Sequence, residues 1–318
     1  MIKDIYVEIT GTTGVETVTV STAHNAATAV ATFKAKNTTL EIGDAVTIRL
    51  GYVGDHDVVF RGFVKTKDEE NLTGTFTISA QDELVRAVDF YIASSTPDSA
   101  FSRQNISAEF LIRDLLQLAG ITNYNYQPTS FVFATQGKLE INLVGCYDIC
   151  KQISDILAWH IYADVNNQVH FVERRPHLMV GDTPDHYIND TNILSIVERV
   201  TTSDLRNRVV VYGRGSIAAT AQATSPYLPA GFYKSTVLAT DFIDSQSIAQ
   251  QAANYNLNLL NRLGESLTIT IEGNPIIMAR DIINVTESIL GISGDYYAYG
   301  VDHSVGKDGY KTELVLRK

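Results

Sequence analysis

ESLTITIEGNPIIMARDIINV, the stretch from Glu265 to Val285, decides how this chain is read, because the chain carries a second version of it. Moved back by 237 positions, it lies without gaps on TAVATFKAKNTTLEIGDAVTI, from Thr28 to Ile48. Asn274 falls on Asn37, Asp281 on Asp44, and the apolar Ile277, Ile283 and Val285 fall on Leu40, Val46 and Ile48. After a one-residue shift, Tyr299-Gly300-Val301 meets Arg61-Gly62-Phe63, and Leu314 and Leu316 meet Phe76 and Ile78. A unit that recurs once at so long a period marks a duplicated domain, not a solenoid of short repeats. Upstream of the asparagine, Ile269 and Ile271 are out of phase with Ala31, Phe33 and Ala35. Side chains alternate faces along a strand, so one copy must absorb an extra residue there.

The chain has 318 residues, enough for two or three separate cores. Hydrophobic residues make up 45% and charged residues 19%, which is a globular composition and not a disordered one. Tyr and Thr are plentiful and helix-favouring blocks are few, which leans toward strands. A net charge of -11 argues against a protein that grips nucleic acid by neutralising its phosphates. It suits a surface past which DNA slides without sticking. The start, MIKDIYVEITG, already alternates as a strand, so no secretory signal is expected. No apolar run approaches the roughly 20 residues of a membrane span. Synthesis in a cytosol, without disulfides or membrane insertion, is the expectation.

Taken in order, residues 1–92 read as an antiparallel β domain, with Ile5, Val7 and Ile9 alternating and Val18 and Val20 on the next strand. Strands follow at Ala45–Leu50, Val58–Lys65 and Gly74–Ala80, then a short helix at Asp82–Val88. Ala93–Arg103 is a Ser-rich linker or surface loop. From Ser107, a predicted N-cap, Phe110, Leu111, Leu115 and Leu118 form a helical stripe that stops at Gly120. Leu139–Leu143 is a strand and Tyr147–Ala158 a second helix, and Trp159–Ala163 with Val169–Glu173 forms a hairpin. Strands resume at Ile193–Val200 and Asn207–Gly213, and Ser216–Gly231 reads as an exposed loop. Ser245–Leu263 is the longest helix, with Ile248, Ala252, Tyr255, Leu259 and Leu263 on one face. The predicted fold is therefore mainly β (α+β). Two related antiparallel β-barrels, 1–92 and 181–318, the latter including helix 245–263, flank a small α+β domain at 93–180.

Chemistry is thin. The seven histidines show no HExxH spacing, and His177 and His186, which flank a GDTPD loop, read as solvated rather than metal-binding. Cys146 and Cys150 sit one helical turn apart and read as small buried apolar residues, since no second ligand pair exists for zinc. No GxSxG elbow is present, and Gly213-Arg214-Gly215 is a turn rather than a phosphate loop. Glu272 and Asp281 could be imagined as a glycosidase pair. In the repeat, however, Asp281 meets Asp44 while Glu272 meets Ala35, so a turn role for the aspartate is simpler. Arg174-Arg175 and Arg206-Asn207-Arg208 are surface charges without interleaved aromatics. Tyr124, Tyr126, Phe131 and Phe133 are the best aromatic cluster for a carbohydrate, with packing the better explanation. The predicted catalytic, cofactor-binding and metal residues are accordingly none.

Several segments resemble the central hub proteins of phage tail baseplates, a family related to type VI secretion spikes and siphophage tail-associated proteins. They are Ile42-Gly43-Asp44-Ala45-Val46, Val59-Phe60-Arg61-Gly62-Phe63-Val64, and Ile78-Ser79-Ala80-Gln81-Asp82-Glu83-Leu84. The Ser107–Gly120 helix, the Tyr147–Trp159 helix with its hairpin, Asn207–Val211 and Gly273-Asn274-Pro275 continue the series. At Ala279-Arg280-Asp281 the chain departs from the family's Gly-Asp turn. The resemblance implies tube-like barrels in a homotrimeric hub of the virion baseplate, assembled in the host cytoplasm. The hub would adapt a sixfold tail tube or distal tail protein to a trimeric spike, around a lumen that passes DNA without specific binding. It further implies contacts with the tape measure C terminus and baseplate wedge proteins. It implies no enzyme, no cofactor and no needle activity. The readings set against it are a tail-tip glycan or peptidoglycan hydrolase and a carbohydrate-binding attachment protein.

Overall fold

A computed structural model of the chain describes residues 4–70, 74–94, 101–173, 177–262 and 264–318. Arg174-Arg175, most of the Ser-rich stretch after Ala93, Asn71 and Leu263 lie outside them. The first barrel is built from β1 (Ile5–Ile9), β2 (Thr12–Ala23), β3 (Val30–Thr38), β4 (Ala45–Tyr52), β5 (Asp55–Glu70) and β6 (Thr75–Gln81). Their alternation decides the inside: Val18, Val20, Ala31, Phe33, Val46, Ile48, Leu50, Ile78 and Ala80 are each at most 2% exposed and share one core. Burying each larger one contributes about 1.5–3 kcal/mol.

The middle of the chain follows as α1 (Val85–Asp89), β7 (Tyr91–Ile92), β8 (Phe101–Arg103), β9 (Ile106–Ser107), α2 (Ala108–Leu118), β10 (Tyr124–Tyr126), β11 (Val132–Phe133), β12 (Leu139–Ile141) and β13 (Val144–Gly145). It closes with α3 (Cys146–Leu157) and the hairpin β14 (Trp159–Ala163) and β15 (Val169–Glu173), where the alternation predicted it. Ser107 stands at the N-cap of α2 in extended conformation, but its hydroxyl is buried and caps nothing. β10 pairs parallel to β15.

The remaining elements are β16 (His186–Asn189), β17 (Ile193–Thr201), β18 (Arg208–Tyr212), β19 (Ala218–Gln222), β20 (Ser235–Ala239), α4 (Gln246–Leu260), β21 (Gly264–Glu272), β22 (Ile282–Glu287), β23 (Ile292–Gly306) and β24 (Gly309–Arg317). Two expectations need correcting here. Ala218–Gln222 is not loop but strand β19, burying Ala219 and Ala221 against β18. Helix α4 does not pack in the second barrel. Its buried face is Ile248, Ala249, Ala252 and Ala253, and it joins one core with Val209 and Val211 of β18 and with Ile149 and Ile153 of α3. Tyr255, expected inward, is 40% exposed. The small alanines let the helix sit close against β18 and β19. The second barrel keeps a separate core of Leu267, Ile269, Ile271, Ile283, Val285, Leu314 and Leu316.

The duplication is written in the hydrogen bonds. The first barrel pairs in the order β1-β4-β5-β6-β3-β2, and the second repeats it as β16-β22-β23-β24-β21-β17. Phe33 faces Ile78 across β3 and β6 just as Ile269 faces Leu314 across β21 and β24. Both copies are irregular at equivalent points. The β5–β6 ladder slips between Val64 and Thr66, and β23–β24 slips between Ala298 and Gly300. The β2–β3 ladder slips between Val15 and Thr17, and β17–β21 between Ile193 and Ser195. These pairings correct the later alignment: Leu314 and Leu316 correspond to Ile78 and Ala80, and Tyr297-Ala298 to Phe63-Val64. They also locate the extra residue. Ala31, Phe33 and Ala35 match Leu267, Ile269 and Ile271, and the second copy is one residue longer before Asp281. One strand differs, since β1 runs antiparallel to β4 whereas β16 runs parallel to β22.

Candidate assembly interface

The two barrels form a continuous sheet within the chain. β2 of the first pairs antiparallel with β23 of the second, from Val18 opposite Val305 to Ala23 opposite Gly300. The backbone N–H of His24 extends the ladder by donating to the Tyr299 carbonyl at 2.7 Å. This joint has equivalents elsewhere in the chain. The repeat makes β17 the counterpart of β2 and β5 the counterpart of β23. Among the described residues, β17 pairs only with β21, and β5 from Thr66 to Glu69 pairs only with β6. Both outer edges are exposed, and β17 carries Leu194, Val197 and Val200 at 60%, 62% and 58% exposure. A long apolar strand edge left open is an interaction surface, because its unpaired N–H and C=O groups template another strand.

The turn that starts the repeated strand is also built twice. Asp44 Oδ2 accepts from the Glu41 N–H at 2.8 Å, and Asp281 Oδ2 accepts from the Met278 N–H at 2.7 Å. Gly43 precedes the first aspartate at φ +91°, and Arg280 precedes the second at φ +87°. The departure from Gly-Asp therefore leaves the turn unchanged, as an arginine holds the left-handed conformation.

The candidate chemical residues do not assemble. Asp281 pairs with His186 at 3.1 Å, while Glu272 lies in a different hollow beside Tyr52. Burial, and next Glu272, push the Tyr52 hydroxyl up to about 12. His177 is buried near Arg262, away from His186, and burial lowers its pKa to about 4. The Cys146 thiol donates to the Leu115 carbonyl at 3.3 Å, and this neighbour together with burial pushes the Cys150 thiol up. Arg206 donates to the Ser203 and Leu205 carbonyls, and Gly213 approaches the Ile243 carbonyl as a turn residue. Phe131 and Phe133 are 2% and 0% exposed, so they are core and not a sugar platform. Among the described residues no group of three or more His, Cys, Asp or Glu could hold a metal, and no helix is long and apolar enough to cross a membrane.

Neither a protein-family model nor a curated protein matches the chain. Solved structures do. A tail protein from Neisseria meningitidis MC58 superposes at TM-score 0.72 with 14% identity, covering 99% of this chain and 96% of that one. The chain has the fold of phage tail proteins. The 43 kDa tail protein of prophage MuSo2 from Shewanella oneidensis has the same tail-protein fold, at TM-score 0.70 with 13% identity over 99% of this chain and 98% of that one. A component of the Escherichia coli type VI secretion system, itself similar to bacteriophage T4 tail proteins, matches at TM-score 0.58 with 9% identity over 98% and 76%.

Proposed function

We propose that this chain is the structural hub of a phage tail baseplate, a homotrimer whose six barrels close a ring and which does no chemistry. One observation carries the reading. The chain makes one barrel-to-barrel joint internally and leaves both halves of an equivalent joint open. If β17 of one copy meets β5 of the next as β2 meets β23, the repeat dictates the register. Thr201 then lies opposite Thr66, Val200 opposite Lys67, Arg199 opposite Asp68, and Glu198 opposite Glu69 with Lys67 on its diagonal. Asp68 and Asp302 are equivalent, so each joint keeps an aspartate at that position. Head-to-tail joints of this kind close into a ring when the rotation allows.

Six similar barrels supply a pseudo-sixfold face for a tail tube or distal tail protein. The parts that differ between copies, β1 against β16 and the middle domain, reduce the other face to threefold symmetry for a trimeric spike. The chain's net charge of -11 fits a lumen along which DNA slides. Electron microscopy of the purified full chain, and of tails that contain it, tests the reading. The expected image is a ring of three copies around an axial opening. A particle without an axial passage overturns it.

A further inference from the structure

Where the two barrels meet the β14–β15 hairpin lies a cavity of about 270 Å³, walled by Phe60, Tyr162, Met278 and Val301 and by the guanidinium groups of Arg61 and Arg280. Arg280 is out of place by every local criterion. Its counterpart Gly43 adopts the same left-handed backbone with open space around it, and glycine is the residue such a conformation favours. The Arg280 guanidinium stacks on the Tyr162 ring at 3.6 Å. Its Nε is sealed from solvent without a hydrogen-bond partner. No ion pair reaches it among the described residues, although the half-buried guanidinium carries five donors.

The nearby carboxylates are already committed. Asp82 accepts from the N–H groups of Ala29 and Leu84, at 2.6 and 3.0 Å. Asp281 holds Met278 N–H and His186. Asp164 accepts from the Asn166 and Gln168 N–H groups and faces His170 at 3.1 Å. Arg61 spends one nitrogen on the Val165 carbonyl and Asn166 Oδ1 and has donors to spare. Asp82, Asp164 and Asp281 all line the cavity, and burial raises the pKa of both Asp281 and Asp82. That of Asp82 rises to about 7, so at neutral pH it does not fully oppose an incoming negative charge.

We propose that this cavity binds a small oxyanion, a carboxylate or a phosphate, held by the planar fork of Arg280 with Arg61 at the rim. The bound anion completes the donors of Arg280 and ties both barrels to the middle domain. Planar, bidentate capture of carboxylate or phosphate is what a guanidinium does better than any other side chain. The apolar walls leave room for a short carbon body. This site stands whether or not the chain forms a ring.

The test is thermal unfolding of the full chain in sodium chloride, phosphate and acetate at matched pH and ionic strength, with wild type beside Arg280→Gly. Wild type is expected to melt about 3 °C or more higher in saturating phosphate or acetate than in chloride. A response to phosphate alone assigns a phosphate ligand, and a response to acetate alone assigns a carboxylate. Arg280→Gly is expected to melt in chloride at or above the wild-type temperature, because it relieves the left-handed strain, and to lose the anion response. Equal wild-type melting in all three salts means that water alone fills the cavity and overturns the proposal, as does an undiminished response in Arg280→Gly. Should the variant fail to fold, crystals of wild type soaked in tungstate decide the matter. Density against the Arg280 guanidinium supports the site, and its absence refutes it.

Discussion

Arg199→Asp is the sharpest probe of the open edges. In the proposed ring, with the register of the internal joint, it would set two aspartates face to face, because Arg199 would lie opposite Asp68 of a neighbouring copy. A cross-strand pair of opposite charges contributes about 0.2–1 kcal/mol, and like charges directly opposite cost a similar amount. Each seam would then lose about 1 kcal/mol, and a closed ring of three copies has three, so the proposed trimer would lose about 3 kcal/mol. That is on the order of a hundredfold in the association constant. Both residues are exposed in the single chain, so its own unfolding free energy should move by no more than about 0.5 kcal/mol. Sedimentation across the micromolar range reads the deficit. It should shrink at about 1 M salt, where the screening length falls to roughly 3 Å. Combining Arg199→Asp with Asp68→Arg should restore association. A single variant that associates like wild type, or a double variant that remains as weak as the single ones, would refute the β17–β5 joint.

Four further outcomes are expected. Gly62→Ala should cost about 2 kcal/mol or more in urea unfolding, since its Cβ would stand 2.1 Å from the Gln81 carbonyl oxygen, and a near-neutral result would show that β5 can move. His303 is buried, its Nε2–H donates to the Ile277 carbonyl, and burial lowers its pKa to about 4. The stability it contributes is complete above pH 6.5 and is lost as pH falls toward 4, on the order of 3 kcal/mol, so His303→Gln should flatten that acid limb. Asp82 acts in the opposite sense. Burial raises its pKa from 3.8 to about 7, so its contribution fades as pH rises through 7, and Asp82→Asn should remove that slope. Asp44→Ala should cost about 1 kcal/mol and Asp281→Ala about 2, because Asp281 also holds His186 in a less exposed turn; equal costs in denaturant titrations would contradict this.

The duplication could be read from the sequence because strand period and turn chemistry are local. The Asp44 and Asp281 turns and the Trp159–Glu173 hairpin advertise themselves through spacing alone. The register beyond the turn was not readable in the same way. Inserting one residue on a bulged strand leaves the apolar alternation looking continuous, so Leu314 aligns as plausibly with Phe76 as with its true counterpart Ile78. Strand β19 escaped because Ala-Ala-Thr-Ala-Gln buries only small side chains and resembles a loop in composition. Helix α4 announced an apolar face, but a face does not name its partner. Only tertiary packing assigns Ala252 and Ala253 to α3 and β18 rather than to the barrel that follows them. The open edges of β17 and β5 were invisible for a related reason. An edge is defined by a missing neighbour, and no residue type records that.

The β2–β23 joint is covalently tethered, and this changes how a proposed ring would come together. Two barrels linked in one polypeptide meet at an effective concentration near the millimolar range, however dilute the protein. Half of the contacts around such a circle therefore form during folding, before any encounter between molecules. Closure then requires three partners instead of six, and a ring missing one barrel cannot arise. In such a ring the internal joints, relieved of holding molecules together, would be free to diverge in sequence from the external ones: Ser21 stands opposite Asp302, where the proposed joint would set Arg199 opposite Asp68.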